Sequence, residues 1–234
     1  MSKAVILGGF RHTVESPRMH VPDAELWLQS TSARAWEFNI HDWSRWFDVH
    51  AIRPDSYYPG IRIMRPDVLH WYHKQGSERP IYFTEQYAEI LASRAYPIKK
   101  ITAAFGLGHF GCQLDYMGAL ALLEGFDRWI LYGIGQPYVV DRDGDQARHY
   151  FKHHGHFLYW LRLATARGVE IVFDTPASNL VTAEMIADEA RYPTPDLCPL
   201  RYGYDMGIEQ VMEAQAEGYL GTPAYAAVQQ YAER

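Results

Sequence analysis

Cysteine is scarce in this chain: Cys112 and Cys198 are the only two in 234 residues, and they lie far apart. No secretory leader pattern precedes them, so the sequence predicts a reduced, cytoplasmic setting rather than a disulfide framework. No apolar run reaches the ~20 residues needed to cross a bilayer, and no membrane partner is expected. Positive charge is also short, with 22 Lys and Arg against 28 Asp and Glu and a net charge of -6. That balance argues against a general electrostatic grip on nucleic acid, while leaving room for a local basic cleft. Two common catalytic signatures are missing. Without a G-x-S-x-G elbow a Ser-His-Asp hydrolase is disfavoured, and without a Walker A sequence ordinary P-loop use of ATP is disfavoured. Internal repeats, low-complexity tracts and interdomain linkers are not evident.

What is present suits one α/β domain with a tail. The 27.0 kDa chain is 48% hydrophobic and 21% charged, ordinary values for a globular protein with a sizeable core. Aromatic residues make up 15%, including 7 Trp and 17 Tyr. Such rings stack on bases and sugars, but core and interface packing is the simpler reading.

Apolar strand patterns alternate with helical ones. Strands are expected at Lys3 to Gly9, Ala24 to Gln29, Trp46 to Ala51, Pro80 to Thr84, Ile101 to Phe105, Arg128 to Ile134 and Val169 to Phe173. Helices are expected from Thr31 or Ser32 to Phe38, Asp67 to Lys74, Gln113 to Gly125, Asp145 to Arg167, Thr182 to Ala190 and from Ile208 onward. Alternation of this kind predicts βαβ units, a mainly parallel sheet and helices on both faces. We expect residues 1–180 to form the domain and 181–234 to form a helical and loop extension packing on it.

Glycines mark the first candidate site. Ala4-Val-Ile-Leu-Gly8-Gly9 is an apolar strand running into two glycines, and Gly106, Gly108 and Gly111 precede the helix that opens at Cys112-Gln113. Glycines at strand ends and a helix N-terminus are how open α/β sheets build phosphate sites, so Gly8, Gly9, Gly111, Cys112, Gln113 and Gly133 are candidate nucleotide-binding residues. Turn glycines after buried strands are common, so the purely structural alternative stays open. The Gly106-x-Gly108-x-x-Gly111 letters match a dinucleotide fingerprint, but no acidic residue ends a strand about 20 residues later, and NAD is a poor reading.

The second constellation is Asp141-Arg-Asp143-Gly-Asp145, followed by His149, His153, His154 and His156. Three carboxylates at alternate positions can hold Mg2+, Mn2+ or Ca2+; a solvated turn with Asp145 capping the next helix is the simpler alternative. Four histidines within eight residues exceed what packing needs, and an imidazole near pH 7 is a natural general base. His149 and His153, at i and i+4, are also compatible with zinc, although no cysteine or second motif completes such a site. Asp48, His50, Glu85 and Gln86 at strand ends are weaker candidates.

The order Gly8-Gly9, Ala24-Glu-Leu-Trp27, Trp46-Phe-Asp-Val-His50, Arg79 to Phe83, Gly118 to Asp127, Ile130 to Ile134, Pro176 to Leu180 and Leu200-Arg-Tyr-Gly-Tyr-Asp205 resembles Rossmann-like proteins of tailed bacteriophages. More distantly, the half from Gly111 to Leu180 is similar to the CMP-sialic-acid-dependent sialyltransferases and the archaeal 6-hydroxymethylpterin diphosphokinases. The resemblance implies a Rossmann-like α/β fold with a nucleotide site between the first strand end and the Gly111 helix. It also implies a catalytic base at His153 or His156. Two departures are the first turn, Gly8-Gly9-Phe10-Arg11, which lacks the Gly-x-Gly-Pro-Ser pattern, and Gly111-Cys-Gln113, where the enzymes carry Ser or Thr beside Gly. The resulting expectation is a nucleotide-dependent transferase, a glycosyltransferase using a nucleotide sugar, with Mg2+ or Mn2+ at Asp141, Asp143 and Asp145. Its acceptor would be DNA or a glycan, its location the host cytoplasm, and a homo-oligomer is compatible. The alternatives are a non-catalytic phage accessory or virion-associated protein and a diphosphokinase acting on a small heterocycle.

Overall fold

The computed structural model describes residues 3–8, 21, 23–29, 43–49, 66–106, 109–110, 112–132, 134, 145–173 and 182–194, with side chains except at 66–69 and 145–155. The elements in chain order are β1 (Ala4–Gly8), β2 (Glu25–Gln29), β3 (Arg45–Phe47), α1 (Pro66–His73), β4 (Ile81–Phe83) and β5 (Ser93–Ala95). They continue with α2 (Ile98–Phe105), α3 (Gln113–Leu123), β6 (Arg128–Tyr132), α4 (Asp145–Ala166), β7 (Glu170–Phe173) and α5 (Ala183–Ala187). The strands form one sheet of order β5-β4-β3-β2-β1-β6-β7, and every neighbouring pair is parallel. The fold is therefore α/β and Rossmann-like, as expected from the alternation of elements.

The sheet is covered on both faces, which is why its strands read as continuous apolar runs rather than alternating ones. In β1, Val5 and Leu7 face a core built with Trp129 and Leu131 of β6 and with α2, α3 and α4. Ile6 faces the opposite core with Leu26, Leu28, Trp46, Ile81 and Ile130, closed by Tyr72 of α1. The helix α3 lies close because its small residues allow it. A Cβ on Gly118 would sit 3.4 Å from the Trp129 ring and from Trp160 Cβ, so little room exists for anything larger.

Two expectations are corrected. Residues Ile101 to Phe105, read as a fifth strand, are helical in α2, and the true fifth strand is Ser93–Ala95. Ile98, Ile101 and Phe105 recur at i, i+3 and i+7, the helical period, and that pattern wins over the short apolar run. Consequently the glycine-rich loop joins two helices and does not follow a strand. The helix expected from Thr182 to Ala190 is shorter, Ala183–Ala187, with Thr182 Oγ1 accepting from Met185 N at 3.2 Å.

Arg162 of α4 fastens this C-terminal segment. Its guanidinium donates to the carbonyls of Met185 (2.7 Å), Ile186 (3.2 Å) and Tyr192 (2.6 Å) and to Thr194 Oγ1 (2.7 Å). The helices expected at Thr31 or Ser32 to Phe38 and from Ile208 lie outside the described residues. Among the described residues no helix is long and apolar enough to cross a membrane.

Candidate functional site at the carboxyl edge of the sheet

The chain leaves β1 toward β2 and later returns on β1's other side as β6, so the sheet order reverses between them. In open α/β sheets the crevice beyond the carboxyl ends of two such strands is where ligands bind. The strands end here at Gly8, paired with Tyr132 of β6. A Cβ at Gly8 would stand 2.5 Å from Leu28 Cδ2 and 3.1 Å from the Trp27 carbonyl oxygen. Close packing on β2 thus accounts for this glycine without a ligand.

Helix α3 begins at this edge. The Gln113 side chain is buried, and its Oε1 accepts from the Val49 N–H just past β3 at 3.2 Å. The first turn is closed by a capping box: Asp115 Oδ2 accepts from Cys112 N at 2.7 Å, and the Cys112 side chain accepts from the backbone N–H of Asp115. This places a fully buried carboxylate where the helix dipole would favour a phosphate. Burial, and after it the neighbouring Asp115, raise the Cys112 thiol pKa well above its usual value, which favours the thiol over the thiolate.

A histidine pair stands beside this helix start. His109 Nδ1 and His156 Nδ1 are 3.4 Å apart, one imidazole donating and the other accepting, and both rings are buried. His109 stacks on Tyr159 with ring centres 3.9 Å apart and planes 19° from parallel. Its carbonyl oxygen accepts from Trp160 Nε1 at 2.7 Å. These contacts hold His109 at φ 69°, a left-handed backbone that costs about 1–3 kcal/mol and is often found at functional sites. Burial lowers the His109 pKa, favouring its neutral form.

Chain geometry fixes the height of this pair. From His156 to the end of α4 at Ala166 the helix descends about 15 Å at ~1.5 Å per residue, and the five residues of β6 span about 16 Å. Since β7 starts soon afterwards at Glu170, opposite Arg128, His156 is level with the carboxyl edge. The part of α4 that carries positions 149 and 153 rises above that edge.

On the other face of the sheet, Asp48 follows β3 and is buried. Its Oδ2 accepts from Tyr72 Oη at 2.6 Å, and Tyr72 Oη accepts from Trp46 Nε1 at 3.2 Å. Burial, with Asp48 beside it, holds the Tyr72 hydroxyl well above its usual pKa, so it remains a donor. Glu85 is exposed and accepts from Tyr87 Oη at 3.2 Å; Gln86 is exposed as well.

The amino edge is different in kind. Arg45 pairs with Glu25 and with Glu124 at 2.7 Å each and lies over the Trp27 ring. Lys3 Nζ stands 3.8 Å from Glu124, and Arg128 3.1 Å from Glu170. Opposite charges are matched here, and the geometry reads as structural.

Of the residues singled out in the sequence, Gly8, Cys112, Gln113 and His156 gather at the carboxyl edge. Gly9, His50, Gly111, Gly133, Asp141 and Asp143 lie outside the described residues, and Asp145 and His153 are described as positions on α4 without side chains. Among the described residues no three His, Cys, Asp or Glu side chains converge as a metal site. Sequence reasoning missed His109 and Asp115. The Cys112-x-x-Asp115 spacing, read as a capping box with sulfur for the hydroxyl, was the available signal for the second. Comparison of the chain with protein-family models, with curated proteins and with solved structures finds no match.

Proposed function

We propose that this protein is a nucleotide-dependent transferase, a glycosyltransferase taking a nucleotide sugar, related to Rossmann-like proteins of tailed bacteriophages. The observation that carries this reading is the position of His156, level with the carboxyl edge where the sheet order reverses and beside the start of α3. An acceptor hydroxyl, on DNA or a glycan, loses its proton as it attacks the activated sugar, and a histidine of α4, His153 or His156, takes it. The buried Asp115 carboxylate disfavours a bare phosphate on the Cys112 N–H. A diphosphate at this edge therefore needs a cation, which the Asp141, Asp143 and Asp145 turn would hold as Mg2+ or Mn2+.

The same carboxylate supports a second reading, a non-catalytic phage protein that keeps the fold, because a self-capped helix start requires no ligand. A thermal-shift screen of nucleotides and nucleotide sugars separates the two. The transferase reading expects at least one to raise the melting temperature, more so with Mg2+, and His153→Ala to lower turnover by about 100-fold with nucleotide affinity unchanged. No shift with any nucleotide at millimolar concentration would leave the non-catalytic reading.

A further inference from the structure

His109 Nδ1 and His156 Nδ1 face each other at 3.4 Å. Two N–H groups or two lone pairs would repel there, so one Nδ1 carries a proton and the other is bare. A neutral imidazole has a single N–H, which leaves the pair two arrangements. In one, His156 donates and its own Nε2 is bare. In the other, His109 donates and His156 Nε2 is protonated. Only the first lets His156 take a proton from a substrate at Nε2. We infer that His109 is a positioning residue, accepting from His156 Nδ1–H and so holding His156 in the tautomer of a general base. The use of that base rests on the transferase reading; the tautomer does not.

His109 is built as a fixed acceptor. Its ring stacks on Tyr159, and its carbonyl oxygen accepts from Trp160 Nε1. The next residue, Phe110, is fully buried and packs on Tyr116 and Trp160, with ring centres 5.0 and 5.1 Å away. Tyr159 and Trp160 follow His156 by three and four residues on α4, so one turn of helix both clamps His109 and presents the donor to it. Burial, which lowers the His109 pKa, also makes it costly for His109 to carry the extra proton, as the second arrangement would require.

The 3.4 Å separation suits a partner that acts late in the reaction. It exceeds the about 2.9–3.0 Å common for N–H···O bonds, and catalytic hydrogen bonds are often long before substrate binds. The hydroxyl oxygen of the acceptor bonds the sugar, and the nucleotide leaves with the electrons of the broken bond. The hydroxyl proton goes to His156 Nε2, while the Nδ1 proton stays where it is. His156 is then a cation donating to His109, and charge-assisted bonds are shorter and about twice as strong. The contact therefore stabilises the state after proton transfer more than the state before it, which is what lowers a barrier.

The test is read on the full chain carrying 15N-labelled histidine, by long-range 1H–15N spectra of the rings at about pH 8.5, above the usual imidazole range. His156→Gln identifies the His156 signals by their loss. In the wild type His156 should show a protonated Nδ1 and a bare Nε2. His109→Asn puts an amide oxygen where Nδ1 stood and should keep that tautomer, whereas His109→Gly supplies no acceptor and should lose it. Asn and Gly both tolerate the positive φ at this position, and circular dichroism checks that the variants fold. A role confined to stacking on Tyr159 predicts instead that the two variants behave alike. Turnover of the nucleotide sugar giving the largest thermal shift should fall by about 10–100-fold in His109→Gly and by less in His109→Asn, at unchanged nucleotide affinity. A protonated Nε2 on wild-type His156 overturns the inference, and so does a tautomer unmoved in His109→Gly. Turnover intact in His109→Gly also overturns it, and leaves His153 as the base of the transferase reading. If no nucleotide sugar binds, that reading fails and the spectra alone decide the role of His109. If neither variant folds, the wild-type spectrum decides.

Discussion

The two edges of the sheet solve opposite problems. At the amino edge, Glu25, Arg45, Glu124 and Lys3 match charge with charge over the Trp27 and Phe126 rings. At the carboxyl edge, Gln113 bonds a backbone N–H, Asp115 caps its own helix, and His109 meets a second imidazole. Paired ions tie strands to a helix end and have no further chemistry to offer. The imidazole pair, with His109 on a left-handed backbone and His156 on α4, is held ring to ring, and its nitrogens suit proton transfer. The comparison teaches that polarity alone does not mark the site; the nature of the partner does.

The largest expected effect comes from Trp160, fully buried and anchoring His109. Trp160→Ala should cost about 3–5 kcal/mol in denaturant unfolding and should disturb the carboxyl edge alone. Next is Arg45→Met at the amino edge. Its guanidinium is 15% exposed, while Glu25 and Glu124 are about a third exposed, so water softens the loss. We expect about 1–2 kcal/mol, shrinking at high salt, with ligand binding unchanged. A change in binding would break the division between the edges.

Tyr72→Phe removes two buried hydrogen bonds, the one donated to Asp48 and the one accepted from Trp46 Nε1, and should cost about 1–2 kcal/mol by the same unfolding measurement. Lys3→Ala should change stability by less than about 0.5 kcal/mol, because the 3.8 Å pair with Glu124 is exposed. A larger loss would show that the amino edge depends on that pair more than its geometry implies.

Much of this architecture was legible in the sequence where runs were long and chemically marked. The apolar runs at β1, β2 and β6 declared themselves, and α4 is long enough for its period to be read. The three-residue strand Ser93-Arg94-Ala95 has no apolar alternation, and only its pairing with β4 makes it a strand. The run Ile101 to Phe105 reads as a strand taken alone; the helical period appears only when Ile98 is included. At the site, Cys112, Gln113 and His156 were found from local pattern. His109 was not, because its partner is 47 residues away and pairing across that distance leaves no trace in either local sequence.

The central claim, that the carboxyl edge of this sheet is a ligand site and the amino edge is structural, is tested most directly by amide hydrogen–deuterium exchange with and without saturating nucleotide sugar and Mg2+. The account predicts slower exchange at Val49, His109 to Gln113 and Tyr132, and unchanged exchange at Glu25, Arg45 and Glu124. Protection confined to the amino edge, or no protection anywhere, would contradict it.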